Sequence, residues 1–324
     1  MSTIPIQNLQ RIQNELTRGI SLTLLIAGTI GNVLNCILFT RRSLRHNPCS
    51  IYFFATSVAN IIALYFSCLT RLLMTFGTNT TSSQGSIYCR FRTFFTFMPL
   101  TASTWFIVAA CADRYASSSS SVRIRSFSQV KFSQRIIYAI IFISSAIWGQ
   151  MFVCFNGSPE SFNCYPSTKF CNIFNDSILL IFYSLLPPLL MFILGWLTIQ
   201  HIRHRPINRL SNSKERQLNI MLITQVICVA ILSLPTSIEK IYSEITMKQV
   251  KSAERLQIEA FVSTMVHMIA FINTSTSFFM FTLTSQLFRK ELKLIIFFWH
   301  RRRRVNIETA QTRPRTIENN MNVS

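Results

Sequence analysis

Charge is scarce in this chain. Only 14% of its 324 residues are Asp, Glu, Lys or Arg, where a soluble chain carries about a quarter. Acidic residues are scarcest, 12 against 32 Lys and Arg, and the net charge is +20. The charges lie between hydrophobic blocks, and 49% of the chain is hydrophobic. That shortage points to a bilayer as solvent rather than to one large soluble core. The nine cysteines include no CxxC pair and have no histidine cluster beside them, which leaves a zinc site without support. Paired carboxylates and nucleophile motifs are missing from the hydrophobic blocks, which speaks against an enzyme, and neither a cofactor nor a metal is expected. A membrane transporter would show inverted repeats, broken helices in matching positions or pore-facing charges, and none is evident. No secretory leader is evident either: residues 1–18 are polar, and the apolar run Ile20 to Phe39 is too long for a leader core.

Seven apolar stretches are present, at about 19–40, 50–74, 89–115, 135–155, 175–200, 218–240 and 257–284. Each is long enough to cross a bilayer, and each must be helical because lipid offers backbone groups no other partner. The expected fold is an all-α membrane protein, a seven-transmembrane helix bundle. Most Lys and Arg fall in every second connecting segment and in the tail, which places the N-terminus outside and the C-terminus in the cytoplasm of a multi-pass plasma-membrane protein. The same distribution, with no basic stripe in a polar domain, argues against nucleic acid as a partner. Sequons at Asn79, Asn156 and Asn175 fall on outer segments and are candidate glycan acceptors.

Beyond the seventh stretch, Phe288, Leu292, Ile295 and Trp299 recur at helical spacing, with Arg289, Lys290 and Lys293 between them. This predicts a short amphipathic helix on the membrane surface. Arg301 to Arg304 suit the anionic lipids of the inner leaflet, and the remaining tail is polar and expected to be disordered. The plan is therefore an outer N-terminus (1–18), a bundle (19–284), a surface helix (285–300) and a basic cytoplasmic tail (301–324). The one low-complexity run is Ser117 to Ser121.

Asp113-Arg114-Tyr115 closes the third stretch at its inner end. An arginine there could merely reach the headgroups, but that does not account for the adjacent Asp and Tyr. Other landmarks fall in order: Gly31-Asn32, Cys89, Trp148, Pro187-Pro188, Leu234-Pro235, Asn273 and Phe288-Arg289. Over about residues 19–295 the chain resembles the rhodopsin-like G-protein-coupled receptors.

The resemblance implies a receptor that passes binding of an extracellular ligand to a heterotrimeric G protein through outward movement of helix 6. Arg114 would pair with Asp113 and reach Glu215 on helix 6 in the resting state. The plainer reading of Glu215 is a solvated charge between Lys214 and Arg216. The resemblance also implies a disulfide from Cys89 to the second outer loop, at Cys164 or Cys171; Cys164 is preferred, though spacing leaves both open, and the spare cysteine is free or pairs with Cys154. Pro187, Pro188 and Pro235 would kink their helices.

The family pattern also fails in places. Asn60 stands where members carry Asp, and Ser277 where they carry Asn; with Ser103 and Asn273 these make a degraded sodium pocket, and neutral oxygens alone hold sodium weakly. Phe278 and Phe281 replace the Pro and Tyr of the helix 7 motif, Ser233 replaces a Trp, and Gly195-Trp196 occupies the place of a helix 5 Tyr. These changes leave open a non-coupling decoy or chemosensory receptor of the same fold. Thr96 stands where amine receptors have Asp, and no Lys lies between Phe261 and Phe271 for a retinal Schiff base. The texture is most similar to invertebrate peptide receptors of the FMRFamide-receptor kind. Thr96 and His267 are candidate ligand-pocket residues. Glu239, Glu244, Glu254 and Glu259 would attract a basic or amidated peptide, or serve only as solvated loop charges.

Overall fold

The computed structural model describes residues 6–42, 44–74, 82–119, 121–157, 164–203, 213–246 and 249–295. Seven of its helices are long and apolar enough to cross a membrane. α1 is Ile6–Phe39. α2 begins as Pro48–Leu64, widens into a π-helical stretch at Tyr65–Leu69 and ends as Thr70–Met74. α3 is Ser82–Ser118. α4 is Val130–Trp148 with a further turn at Met151–Cys154. α5 runs through Lys169–Ile178, a π-helical stretch at Leu179–Leu185 and Leu186–Arg203. α6 is Ser213–Thr246 and α7 is Ala253–Thr284.

Local chemistry sets several of these boundaries. Asn47 caps α2 by accepting from the Cys49 amide, and Pro48 takes the first turn, where a missing N–H costs nothing. Thr168 and Ser252 cap α5 and α7 in the same way. In α2 the Thr70 hydroxyl donates to the carbonyls of Phe66 and Ser67. In α5 the widened register carries the Leu186 N–H to Ile181 O. Extending that register, Pro187 should donate to Phe182 O and cannot. Trp105 Nε1 on α3 fills the gap, donating to Phe182 O at 3.0 Å.

α3 is the central element. It packs against α2, α4, α5 and α6, and 67% of its apolar window is buried against 17% for α4. α1 lies against α2 and α7. The approach of α1 to α7 needs glycine: a Cβ on Gly28 would stand 3.2 Å from Ser275 Cα, and one on Gly31 2.9 Å from Phe278 Cβ. Large apolar side chains such as Phe142, Val153, Ile231 and Leu283 point outward, as a lipid-facing surface requires.

At the Asp113 end, Phe39, Phe53, Phe281 and Phe288 form a box of rings with centroids 4.9–5.9 Å apart. Phe288 belongs to α8, residues 286–295. This helix starts at Ser285, whose Oγ accepts from the Phe288 amide. Phe288 is buried while Arg289, Lys290 and Lys293 are exposed, the amphipathic pattern read from the sequence; Trp299 and Arg301 to Arg304 lie outside the described residues. At the opposite end a two-stranded hairpin, β1 (Phe155–Gly157) and β2 (Cys164–Pro166), lies between α4 and α5.

One expectation changes. Residues 6–18, read as part of a polar segment preceding the bundle, continue α1 without a break. Gln13 Nε2 donates to Thr264 Oγ1 on α7 at 3.0 Å, which gives this polar portion of α1 a tertiary partner.

Candidate functional site

Asp113 and Arg114 close α3, and both are buried. Arg114 Nη2 lies 2.7 Å from Asp113 Oδ2, with Nε at 3.2 Å from the same oxygen. The other carboxylate oxygen accepts from Ser128 Oγ at 2.7 Å. Arg114 Nη2 also donates to Asn47 Oδ1 at 3.1 Å, so the cap of α2 serves as a second anchor. Tyr115 meets the His201 ring of α5 edge-on at 5.2 Å. Glu215 lies on α6, but its side chain falls outside the described residues. Beside Arg114 a cavity of about 260 Å³ opens between α3, α5 and α6, lined by Met191, Gly195, Trp196, Leu222 and Val226 among others. Gly195 leaves it room, since a Cβ there would meet nothing within 4 Å.

In the middle of the bundle, Ser103 Oγ donates to Asn60 Oδ1 at 2.6 Å, and Asn60 Nδ2 reaches Asn32 Oδ1 at 3.4 Å. Asn32 Nδ2 donates to the carbonyls of Gly28 and Thr274, each at 2.8 Å. Ser277 Oγ lies 3.5 Å from Asn32 Oδ1 and accepts from Asn35 Nδ2 at 3.2 Å. Three residues of the expected degraded sodium pocket, Asn60, Ser103 and Ser277, therefore belong to one neutral network. The fourth does not: Asn273 Oδ1 accepts from Gln225 Nε2 of α6 at 3.0 Å. Among the described residues no cluster of His, Cys, Asp and Glu could hold a metal.

At the far end Cys89 is bonded to Cys164, and Cys154 to Cys171. This resolves the two alternatives left by the sequence and gives the spare cysteine its partner. Arg90 secures the hairpin, donating to Phe155 O and Asn156 Oδ1 at 3.0 Å each. Beneath lies a small cavity of about 30 Å³ that brings Thr96 and His267 together with Arg71, Tyr183 and Thr236. His267 Nδ1 lies 2.7 Å from Ser263 O, which leaves Nε2 as the other ring nitrogen available for a ligand.

Two of the glutamates expected to attract a basic ligand, Glu259 and Glu239, have cations nearby, while Glu244 Oε1 is buried without a hydrogen bond. Glu259 contacts Lys251 at 2.6 Å, Arg255 at 3.0 Å and the Tyr242 hydroxyl at 2.9 Å. Glu239 lies 3.5 Å from Lys240, and Glu254 occupies the first turn of α7. Among the expected glycan acceptors, Asn79 lies outside the described residues. Asn156 is held by Arg90 and Ser167. Asn175 is buried on α5, where a glycan has no access to solvent.

Sequence reasoning missed Asn47, Arg71, Trp105 and Gln225. Asn47-Pro48 was a readable helix-start signature. Trp105 and Gln225 carry no local signal, because their partners are far away in the chain.

No curated protein matches the chain. The profile of the 7 transmembrane receptor (rhodopsin family) matches residues 31–291, a span that contains the Asp113–Arg114 pair, both disulfides, six complete membrane-spanning helices and the C-terminal part of α1. The chain is a member of the rhodopsin family of seven-transmembrane receptors.

Proposed function

We propose that this receptor sits in the plasma membrane with its N-terminus outside, binds an extracellular peptide ligand, and activates a heterotrimeric G protein when α6 moves outward. The observation that carries this reading is the buried Asp113–Arg114 pair, held by Ser128 and Asn47 beside a cavity bounded by α5 and α6. A buried ion pair with neutral anchors is a two-state element: it stays closed while its partners are in place, and a displaced α6 changes its surroundings. Glu215 on α6 adds a further anchor for Arg114 in this reading. The peptide part of the reading rests on a sequence texture that resembles invertebrate peptide receptors, and the disulfide-pinned hairpin supports it.

Ligand-free nucleotide exchange in membranes, across a panel of G proteins, tests the reading. Arg114→Ala should abolish exchange and leave surface expression intact, while Glu215→Ala should raise it. Normal exchange in Arg114→Ala removes the assigned role. A non-coupling decoy or chemosensory receptor is the second reading, and Phe281 favours it: packed among rings, it lacks the hydroxyl that the family's tyrosine brings. Silence from well-expressed protein shifts weight to that reading.

A further inference from the structure

The cavity near the disulfides holds an imbalance of charge. Arg71, near the end of α2, lines it together with Thr96, Tyr183, Thr236 and His267, and no Asp or Glu is among the described residues lining it. Three other cations at this end have carboxylates: Lys240 lies 2.9 Å from Asp176, and Lys251 and Arg255 both reach Glu259. Arg71 has no such partner among the described residues, and its Nε is buried without a hydrogen bond. Thr236 Oγ1, in the same cavity, is also buried without one. Arg92 on α3 stands close enough to Arg71 to add like-charge repulsion. Arg71 as a whole is half-buried, and a guanidinium partly withdrawn from water without a carboxylate is costly to a fold, since such a charge needs a counter-charge or a full set of acceptors. Groups kept at such cost cluster where ligands bind.

We infer that this cavity recognises the carboxylate of an acidic ligand, with Arg71 as its counter-ion and Thr236 as an added hydrogen-bond donor. The inference rests on the receptor reading above and names the chemistry of its ligand. The cavity's volume, about 30 Å³, fits this role. A single water needs roughly 10–15 Å³ measured the same way, so the space admits a group the size of a carboxylate and excludes a bulky ring. The rest of the ligand lies above, towards the hairpin. A guanidinium meets a carboxylate with two parallel N–H donors, a geometry an amide cannot match. The carboxylate belongs either to a small organic acid or to the free C-terminus of a peptide.

Thermal unfolding of the full-length receptor in lipid nanodiscs, at constant ionic strength, separates these sources. One arm compares butyrate with butyramide. The other compares acetyl-tetra-alanine as free acid and as amide. An acid-specific rise in Tm of about 2 °C at several times Kd is expected in at least one arm. A rise with butyrate assigns a small acid; a rise with the peptide acid alone assigns a peptide C-terminus. Arg71→Met should abolish the rise, and Arg71→Lys, which keeps the charge but not the fork, should weaken it. Thr236→Val should weaken the acid response several-fold, and it carries the test if Arg71→Met does not fold. Equal rises for acid and amide, a rise that persists in Arg71→Met, or no rise in either arm overturns the inference. Binding is read here without G protein, so its failure leaves the coupling reading standing. Silent nucleotide exchange in a receptor with the acid response does the reverse.

Discussion

Gln225 on α6 and Asn273 on α7 are joined across the bundle, Gln225 Nε2 donating to Asn273 Oδ1 at 3.0 Å. Gln225 is buried, so the bond has no competition from bulk water. If α6 swings away, this bond breaks. Gln225→Leu should therefore raise ligand-free nucleotide exchange. Side-chain hydrogen bonds between membrane helices contribute about 0.6 kcal/mol on average, which corresponds to roughly a threefold shift in a two-state equilibrium. Exchange equal to or below that of the parent would show that the bond does not hold the resting state.

Trp105 supplies Phe182 O with the hydrogen bond that Pro187 cannot. Trp105→Phe keeps the ring and removes the donor. It should cost about 1–3 kcal/mol and speed hydrogen exchange in α5 around Leu179–Leu185 more than in α4. Uniform protection across both helices would mean that the carbonyl finds another partner.

Sodium should have no effect on the receptor. The Asn60 network is neutral, and the oxygens of Asn60 and Asn32 already accept from Ser103 and from Asn60 itself. Replacing choline by sodium at equal ionic strength should leave Tm unchanged. A sodium-dependent rise that disappears in Asn60→Ala would contradict this.

Two glycines of α1 should behave in opposite ways. A Cβ on Gly28 meets Ser275 Oγ at 2.7 Å and Ser275 Cα at 3.2 Å, whereas one on Gly19 meets nothing within 4 Å. Gly28→Ala should lower stability by about 1–3 kcal/mol through overpacking. Gly19→Ala should be neutral or slightly stabilising, since alanine is the better helix former. Surface yield and Tm of the two variants check the contrast; equal behaviour would mean that α1 and α7 separate freely.

Much of the architecture was legible because hydrophobic length and basic punctuation are local properties. The seven spans and the α8 pattern around Phe288 lie in short windows of sequence. The polar interior was far less legible. Asn32, Asn60 and Ser277 share a network only because three helices meet there, and Asn273 leaves it because Gln225, far off in sequence, offers a donor. For Glu259 the sequence left a ligand contact or a solvated loop charge open, and the fold brings Lys251 and Arg255 beside it. Arg71 carries no local signal, and only the cavity distinguishes it.

The ring box at the Asp113 end has a mechanical consequence. Phe39, Phe53, Phe281 and Phe288 come from α1, α2, α7 and α8, so one knot of aromatic packing ties four helices together. Rings in van der Waals contact resist shear and offer no hydrogen bond to exchange for another. That side of the bundle is a stator. In the proposed activation the travel then falls to the rotor opposite, α5 and α6, where Gly195 and the adjoining cavity leave space for it.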